Sequence, residues 1–245
     1  MKKILVIGVS CKDVYIYGKC DRLCPDAPVP VFIPKYEVKT GGMAQNVYNN
    51  VIDLGACCHL LTNQKEIVKT RYVDDKTNQM LVRVDVGENE VDKIDLKNID
   101  LGKYCAIILS DYDKGFLSEE DIQFFCQNHD TVIIDTKRLL GKYIKDAKFI
   151  KLNEFEYKQS KHIIDTLNLH NQLLITVGGD GCNYKEENYP VKKVDIKDQT
   201  GAGDTFTAAF TIKFIVTGDI PTSIKYANEC ATKVVQKRGV TTIKQ

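Results

Sequence analysis

Short runs of apolar, largely β-branched residues recur along the chain: KILVIGV beginning at Lys3, YCAIILS at 104–110, TVIIDT at 131–136, KFIKL at 148–152, and LLITVGG after Gln172. Each is short and nearly continuous in apolar character, the pattern of a buried parallel strand covered by helices on both faces. Between these runs the period changes to 3.6. Met43, Val47, Val51 and Leu54 form one apolar stripe closed by Gly55, and Phe206, Ala209 and Phe210 lie on another closed by Gly218. A last helix begins near Pro221, turns Ile224, Ala227, Ala231 and Val234 inward, and finishes with Lys237, Arg238 and Gly239. Strands alternating with helices predict an α/β protein with a doubly wound, mostly parallel sheet.

Three segments follow a two-residue period instead. VPVFI at 29–33, IVKTRYV at 67–73 and QMLVRVDV at 79–86 have no helices between them, and the last two flank the polar turn sequence DDKTN, which predicts a hairpin. A small β-sheet is therefore expected to project from the α/β body, with strands within about 14–40 and 67–86. No fixed-period repeat or low-complexity linker interrupts the chain, and 245 residues suit one large α/β domain of up to ~250. The expectation is a single domain over 1–245.

Charge narrows the classes of partner. With 34 basic and 33 acidic residues the formal charge is +1, so no net field draws the chain to nucleic acid or to an anionic membrane, and phosphate recognition has to be local. The opening MKKILVIGVSCKD reads as a strand instead of a secretion signal, and no apolar stretch approaches the ~20 residues needed to span a bilayer. A cytoplasmic location follows as the expectation. The nine cysteines suit a reducing compartment; Cys20 and Cys24 lack a second nearby pair to complete a zinc site, and the four histidines share no local spacing with one another or with a carboxylate.

The strongest chemical signal is Thr200-Gly201-Ala202-Gly203-Asp204-Thr205, placed directly before an apolar-periodic helix. Small residues leave the backbone N–H groups of the first turn uncovered, and with the helix macrodipole these suit a γ-phosphate. A carboxylate beside an anion site needs a reason to be there. Accepting a proton from an attacking hydroxyl supplies one, and serving as the first-turn partner of the helix dipole is the alternative. No Lys follows at Walker spacing, and Gly8 stands alone after the first strand without a dinucleotide fingerprint.

DQTGAGDTF resembles the C-terminal signature of the ribokinase (pfkB) family of carbohydrate kinases, and GGMAQNVYNNVIDLG, with Gly41, Gly42 and Asn46, resembles its N-terminal signature. Asp13, NEFE with Asn153 and Glu156, TVGGDG with Thr176, Gly178 and Gly181, and Asn228 in ANECATKVV fall in the family's order. The resemblance implies a ribokinase-like fold and ATP-dependent phosphorylation of a sugar, with Asp204 as base and the N–H groups of Gly201, Ala202 and Gly203 as anion hole. It further implies that Asp13, Gly41, Gly42 and Asn46 hold the sugar, that Thr176, Gly178, Gly181 and Asn228 line the nucleotide cleft, and that Asn153 and Glu156 order water around Mg²⁺. Taken alone, Asn46 also reads as a helix polar face, Glu156 as a solvated carboxylate, and the glycines as strand-end turns. Lys114 and Lys137 read either as facing phosphate or, as such lysines more often are, as solvated, and they stay outside the catalytic set.

DRLCPDAPVPVF, KTRYVDDKTNQMLVRVD and SDYDKGFLS resemble segments of the branch of that family acting on a heptose 7-phosphate. A phosphate already on the sugar would need a cation cluster, and the hairpin offers Lys69, Arg71 and Arg83, with Arg22 nearby; positions 69 and 71 share a face under the two-residue period. The exposed edges of the small sheet, together with the resemblance, predict a homodimer through this lid. Two stretches, after Gly55 and after Glu156, are shorter than the family pattern, as if peripheral layers were lost, and the chain ends soon after the last helix, which implies the kinase step alone. Another sugar or nucleoside kinase of the family, and a non-catalytic ligand-binding descendant, are the competing readings.

Overall fold

The computed structural model describes residues 3–97 and 99–243. The chain opens with β1 (Lys3–Gly8), two long strands β2 (Ser10–Leu23) and β3 (Pro30–Met43), and helix α1 (Ala44–Asp53). Then come β4 (Cys58–Leu61), the hairpin β5 (Val68–Asp74) and β6 (Met80–Val86), and β7 (Tyr104–Asp111). The alternation continues through α2 (Glu119–Asn128), β8 (Val132–Thr136), β9 (Phe149–Asn153), α3 (Glu154–Leu167) and β10 (Leu173–Thr176). A short hairpin β11 (Cys182–Tyr184) and β12 (Glu187–Tyr189) precedes the paired helices α4 (Ala202–Thr217) and α5 (Ile220–Val234).

The main sheet has the order β12-β11-β10-β9-β8-β7-β1-β4, parallel from β10 through β4 and antiparallel at the β11 and β12 edge. Its central strands are apolar at successive positions because both faces are covered. Ile107, Leu109, Val132 and Ile134 join a core shared with α2 and α3, while Ala106, Ile108 and Ile133 pack toward α1, α4 and α5. This is the doubly wound, mostly parallel α/β sheet the strand and helix pattern predicts.

The small sheet has the order β3-β2-β5-β6. Its first two strands reach beyond the expected 14–40, starting at Ser10 and ending at Met43, so β3 runs directly into α1. Gly41 and Gly42 therefore lie on the last residues of a lid strand, and Asp13 lies on β2 beside them. The last helix stops at Val234, short of the predicted Lys237. Helices α2 and α3 had no counterpart in the hydrophobic stripes; each starts with a capping box, Ser118 with Asp121 and Asn153 with Glu156.

After Gly55 the chain passes straight into β4 and then β5, with no helix between them. An open cleft of about 510 Å³, lined among others by Lys12, Gly41, Asn63 and Glu66, lies beside this shortened connection. Helix α3, which begins at Glu154, runs for 14 residues.

Candidate active site

Parallel strands end together, and loops beyond their C-terminal ends form the crevice where α/β proteins bind ligands. Here β7 to β10 end in Asp111, Thr136, Asn153 and Thr176. A cleft of about 410 Å³ opens at this edge. It brings together Asn153, Thr176, Gly178, Gly181, Gly201, Ala202, Gly203, Asp204 and Asn228 from the predicted set, and adds Tyr112, Asp135, Lys137, Lys151 and a loop carrying Lys192, Lys193 and Ile196.

The first turn of α4 forms one wall. Gly201 is the N-cap in the left-handed region at φ 82°, and no side chain caps the turn; of the N–H groups that follow, that of Ala202 donates to the Gln199 carbonyl at 3.2 Å. A Cβ on Gly201 would stand 2.7 Å from Asn46 Nδ2, so the position requires glycine for its backbone and for the space. Asp204 is buried and does not cap its own helix. Asn46 Nδ2 donates to its Oδ2 at 2.8 Å, and Tyr112 Oη donates to its Oδ1 at 3.0 Å. Asn46 is held in turn by Asn50 Nδ2, which donates to the Asn46 carbonyl at 2.8 Å, while Thr205 Oγ1 donates to Asn50 Oδ1 at 3.0 Å. Burial, reinforced by the nearby Asp135 carboxylate, pushes the Asp204 carboxyl up to about 6; Asn46, Lys151 and Tyr112 act in the opposite direction. A carboxylate tuned toward neutrality and held by donors on both oxygens has the properties of a general base.

Below this turn lies a buried ion pair that sequence reasoning missed. The β8–β9 register sets Asp135 beside Lys151, and Lys151 Nζ lies 3.2 and 3.1 Å from the two Asp135 oxygens. Burial opposes ionisation of Asp135, but the ammonium groups of Lys151 and Lys137 outweigh it and hold its carboxyl below the usual range. A Cβ on Gly203 would come within 2.8 Å of Lys151 Nζ, so this cation stands directly behind the glycine turn. An anion at the start of α4 would meet a helix turn that no side chain caps and a buried ammonium.

Asn153 and Glu156 are occupied by one another: Asn153 Oδ1 accepts from the Glu156 N–H at 2.8 Å, and Glu156 Oε2 accepts from the Asn153 N–H at 2.7 Å. Glu156 Oε1 accepts from Lys137 Nζ at 2.5 Å, and Lys137 also stands 5.8 Å from the centre of the Tyr112 ring. Lys137, expected to be solvated, thus lines the cleft. Among the described residues no cluster of three acidic, His or Cys side chains forms a protein cage for a metal. Asn153 lines the cleft and Glu156 does not, and both Glu156 oxygens already accept hydrogen bonds, so an ion that keeps most of its water, as Mg²⁺ does, would meet these groups only through water.

On the lid side Asp13 is buried and ion-paired with Arg71, whose guanidinium also lies 5.0 Å from the centre of the Tyr15 ring. Gly42 permits this packing, since a Cβ there would stand 2.0 Å from Asp13 Oδ2. Lys69 and Lys114 share Glu88, at 2.7 Å each, and draw its carboxyl down to about 2. Arg83 pairs with Asp85 on an exposed strand. None of Lys69, Arg71 and Arg83 lines the cleft at α4, and Gly41 borders the open cleft under the lid. Asn228 Nδ2 donates to the Tyr189 carbonyl at 2.7 Å, so it fastens β12 as well as facing the cleft.

Of the residues missed, Lys151 carried a readable signal. A lysine inside the apolar run KFIKL, destined for a strand buried on both faces, needs a buried counter-charge. Asp135 ends an apolar run in the same way. Tyr112 carried no signal of its own, because its role depends on a turn meeting a helix start 92 residues away.

A mostly parallel sheet whose crevice sets a buried carboxylate beside a glycine-rich helix start suits phosphate transfer to a hydroxyl. Residues 61–245 match the family model described as pfkB family carbohydrate kinase. The chain belongs to that family. It is 31% identical to Bifunctional protein HldE of Helicobacter acinonychis and 29% identical to that of Nitratiruptor, over 98% of its own length in each case. It spans 64% and 63% of those proteins, and the alignments run over 295 and 294 positions, so the relatives carry extra residues within the aligned region. Ribokinase from Thermotoga maritima has the same fold at a TM-score of 0.73 and 17% identity, covering 98% of this chain and 95% of that one. Arabidopsis thaliana ribokinase complexed with ribose and ATP gives 0.73 at 14% identity, covering 97% and 94%.

Proposed function

We propose that this chain transfers the γ-phosphate of ATP to the anomeric hydroxyl of a heptose 7-phosphate. The observation that carries the transfer itself is the placement of Asp204: a buried carboxylate in the first turn of a helix that no side chain caps. The sugar hydroxyl gives its proton to the Asp204 carboxylate while its oxygen bonds to the γ-phosphorus. The bond to the bridging oxygen of ADP breaks, and ADP leaves with that electron pair. Gly201, Ala202 and Gly203 donate N–H groups to the transferring phosphoryl, with Lys151 behind them, and Thr176, Gly178, Gly181 and Asn228 line the nucleotide's place. Asn153 and Glu156 would hold Mg²⁺ through water, and the ion would neutralise phosphate charge.

For the acceptor, the support is the lid's likeness to the heptose-7-phosphate branch and the similarity to the HldE proteins. Asp13, held by Arg71 and packed on Gly42, offers a carboxylate to sugar hydroxyls, with Gly41 at the strand end and Asn46 beside the base. The cations available to a second phosphate are Lys69 and Lys114, which now share Glu88; Arg71 is committed to Asp13, and Arg83 lies at the exposed rim. A homodimer through the lid is part of this reading, because Val82, Val84 and Val86 leave an exposed apolar stripe on an edge strand.

A panel of free and phosphorylated sugars and nucleosides, assayed for ADP release, tests the reading. The heptose 7-phosphate is expected to give the highest kcat/KM, and Lys69→Met should raise its KM about tenfold or more while leaving the KM for ATP unchanged. Preference for an unphosphorylated sugar or a nucleoside would move the assignment elsewhere in the family.

A further inference from the structure

Asp204 sits at the third position of α4, where a carboxylate ordinarily bonds the N–H groups of its own helix. Instead it reaches across to donors on two other elements, Asn46 of α1 and Tyr112 of the turn after β7. That turn is fastened firmly. Arg138 pairs with Asp111 at 3.1 Å and with Asp113 at 2.9 Å, the residues on either side of Tyr112, and donates to the Leu117 carbonyl at 3.0 Å. Thr136 Oγ1 adds a bond to Asp111 Oδ2 at 2.8 Å. The backbone carrying the phenol is thus pinned by groups that never touch the cleft, and Tyr112 alone of the three consecutive residues turns into it.

We propose that Tyr112 is a positioning residue for the reaction: its hydroxyl fixes the Asp204 carboxylate in the orientation and charge state needed to receive the substrate's proton. Burial, with the charges of Asp204 and Asp135, keeps the phenol protonated well beyond neutral pH, so it acts as a donor only. A donor to the carboxylate favours its ionised form and opposes the burial and Asp135 repulsion that push it toward neutrality. The other titratable groups facing the pair are Lys151 and Lys137 for Asp204, and the neutral Cys11 thiol for Tyr112. Tyr112→Phe leaves all of them in place and keeps the ring under Lys137.

The test is the pH profile of kcat/KM for the sugar. Losing a donor that favours the ionised base must move the acidic limb to higher pH, by about one unit for a hydrogen bond to a charged group. Tyr112→Phe should therefore lose about fivefold more activity at pH 6 than at pH 8, with the KM for ATP unchanged. Replacing Tyr112 by 3-fluorotyrosine, which strengthens the donor without altering shape, should move the limb the other way; this arm applies equally if the Phe variant fails to fold. A limb that stays in place in the folded variants, with any loss uniform across pH, overturns the proposal. The inference rests on Asp204 being the base, and the two fail differently. An active Asp204→Asn enzyme removes the base, whereas an inactive Asp204→Asn enzyme together with an unmoved limb in Tyr112→Phe removes only the part assigned to Tyr112.

Discussion

Asn46 and Asp204, 158 positions apart in sequence, are joined by a hydrogen bond of 2.8 Å that brings the N-terminal and C-terminal signature segments onto one carboxylate. Asn46 was expected to face the sugar, and the structure gives it a second task as a donor to the base. Asn46→Asp keeps the shape but replaces the donor with an acceptor. Two carboxylates at that distance cannot both ionise, so the Asp204 limb should move upward by more than one pH unit from its starting point near 6. Sign and pH range agree, because the base must be ionised to act. Activity should rise with pH through about 6 in the wild type and only well above that in the variant, as read from kcat/KM between pH 5 and 9.

The Asp135–Lys151 pair is buried on both sides and lies behind the anion site. Asp135→Asn leaves an ammonium without its counter-charge, a change that typically costs about 3–5 kcal/mol. Denaturant unfolding should record a loss of that order. Lys151→Met strands the buried Asp135 carboxylate in the same way and should also destabilise, and it should raise the KM for ATP, because it removes the cation from behind Gly203.

Strand β6 is exposed along its whole length and forms an edge of the small sheet. If two lids cover one another there, Val84→Asp places a charge within the shared apolar face. Light scattering should give a dimer mass for the wild type and a monomer mass for the variant. A wild type that remains monomeric at high concentration would count against the interface.

Much of the architecture was legible because period alone separates buried strands from helices. The runs at 104–110 and 131–136 needed no tertiary information. Helices α2 and α3 escaped because their apolar stripes are weak and their clearest signals are polar caps. Asn153-x-x-Glu156 is a capping box, and its chemical reading obscured the structural one. The lid strands were placed short because Asp13 to Tyr17 and Val38 to Gly42 become a ribbon only when paired with each other. Lys69 and Arg71 do share a face, as the strand period requires, yet that period says nothing of Asp13 and Glu88, which claim them. The site was legible where small residues and a carboxylate follow one another at Gly201–Asp204. It was illegible where one side chain acts on another across the fold, as Tyr112 does.

The central claim is that Asp204 removes the proton from the sugar hydroxyl, and Asp204→Asn tests it most directly. The amide preserves volume and can still face Asn46 and Tyr112, so the fold and nucleotide binding should survive, as checked by thermal unfolding and by titration with ADP. Turnover, measured as ADP release with the best acceptor from the panel, should fall by a factor of about 10² to 10⁴ and lose the acidic limb near pH 6. A folded, nucleotide-binding Asp204→Asn enzyme that keeps the wild-type kcat would contradict the account.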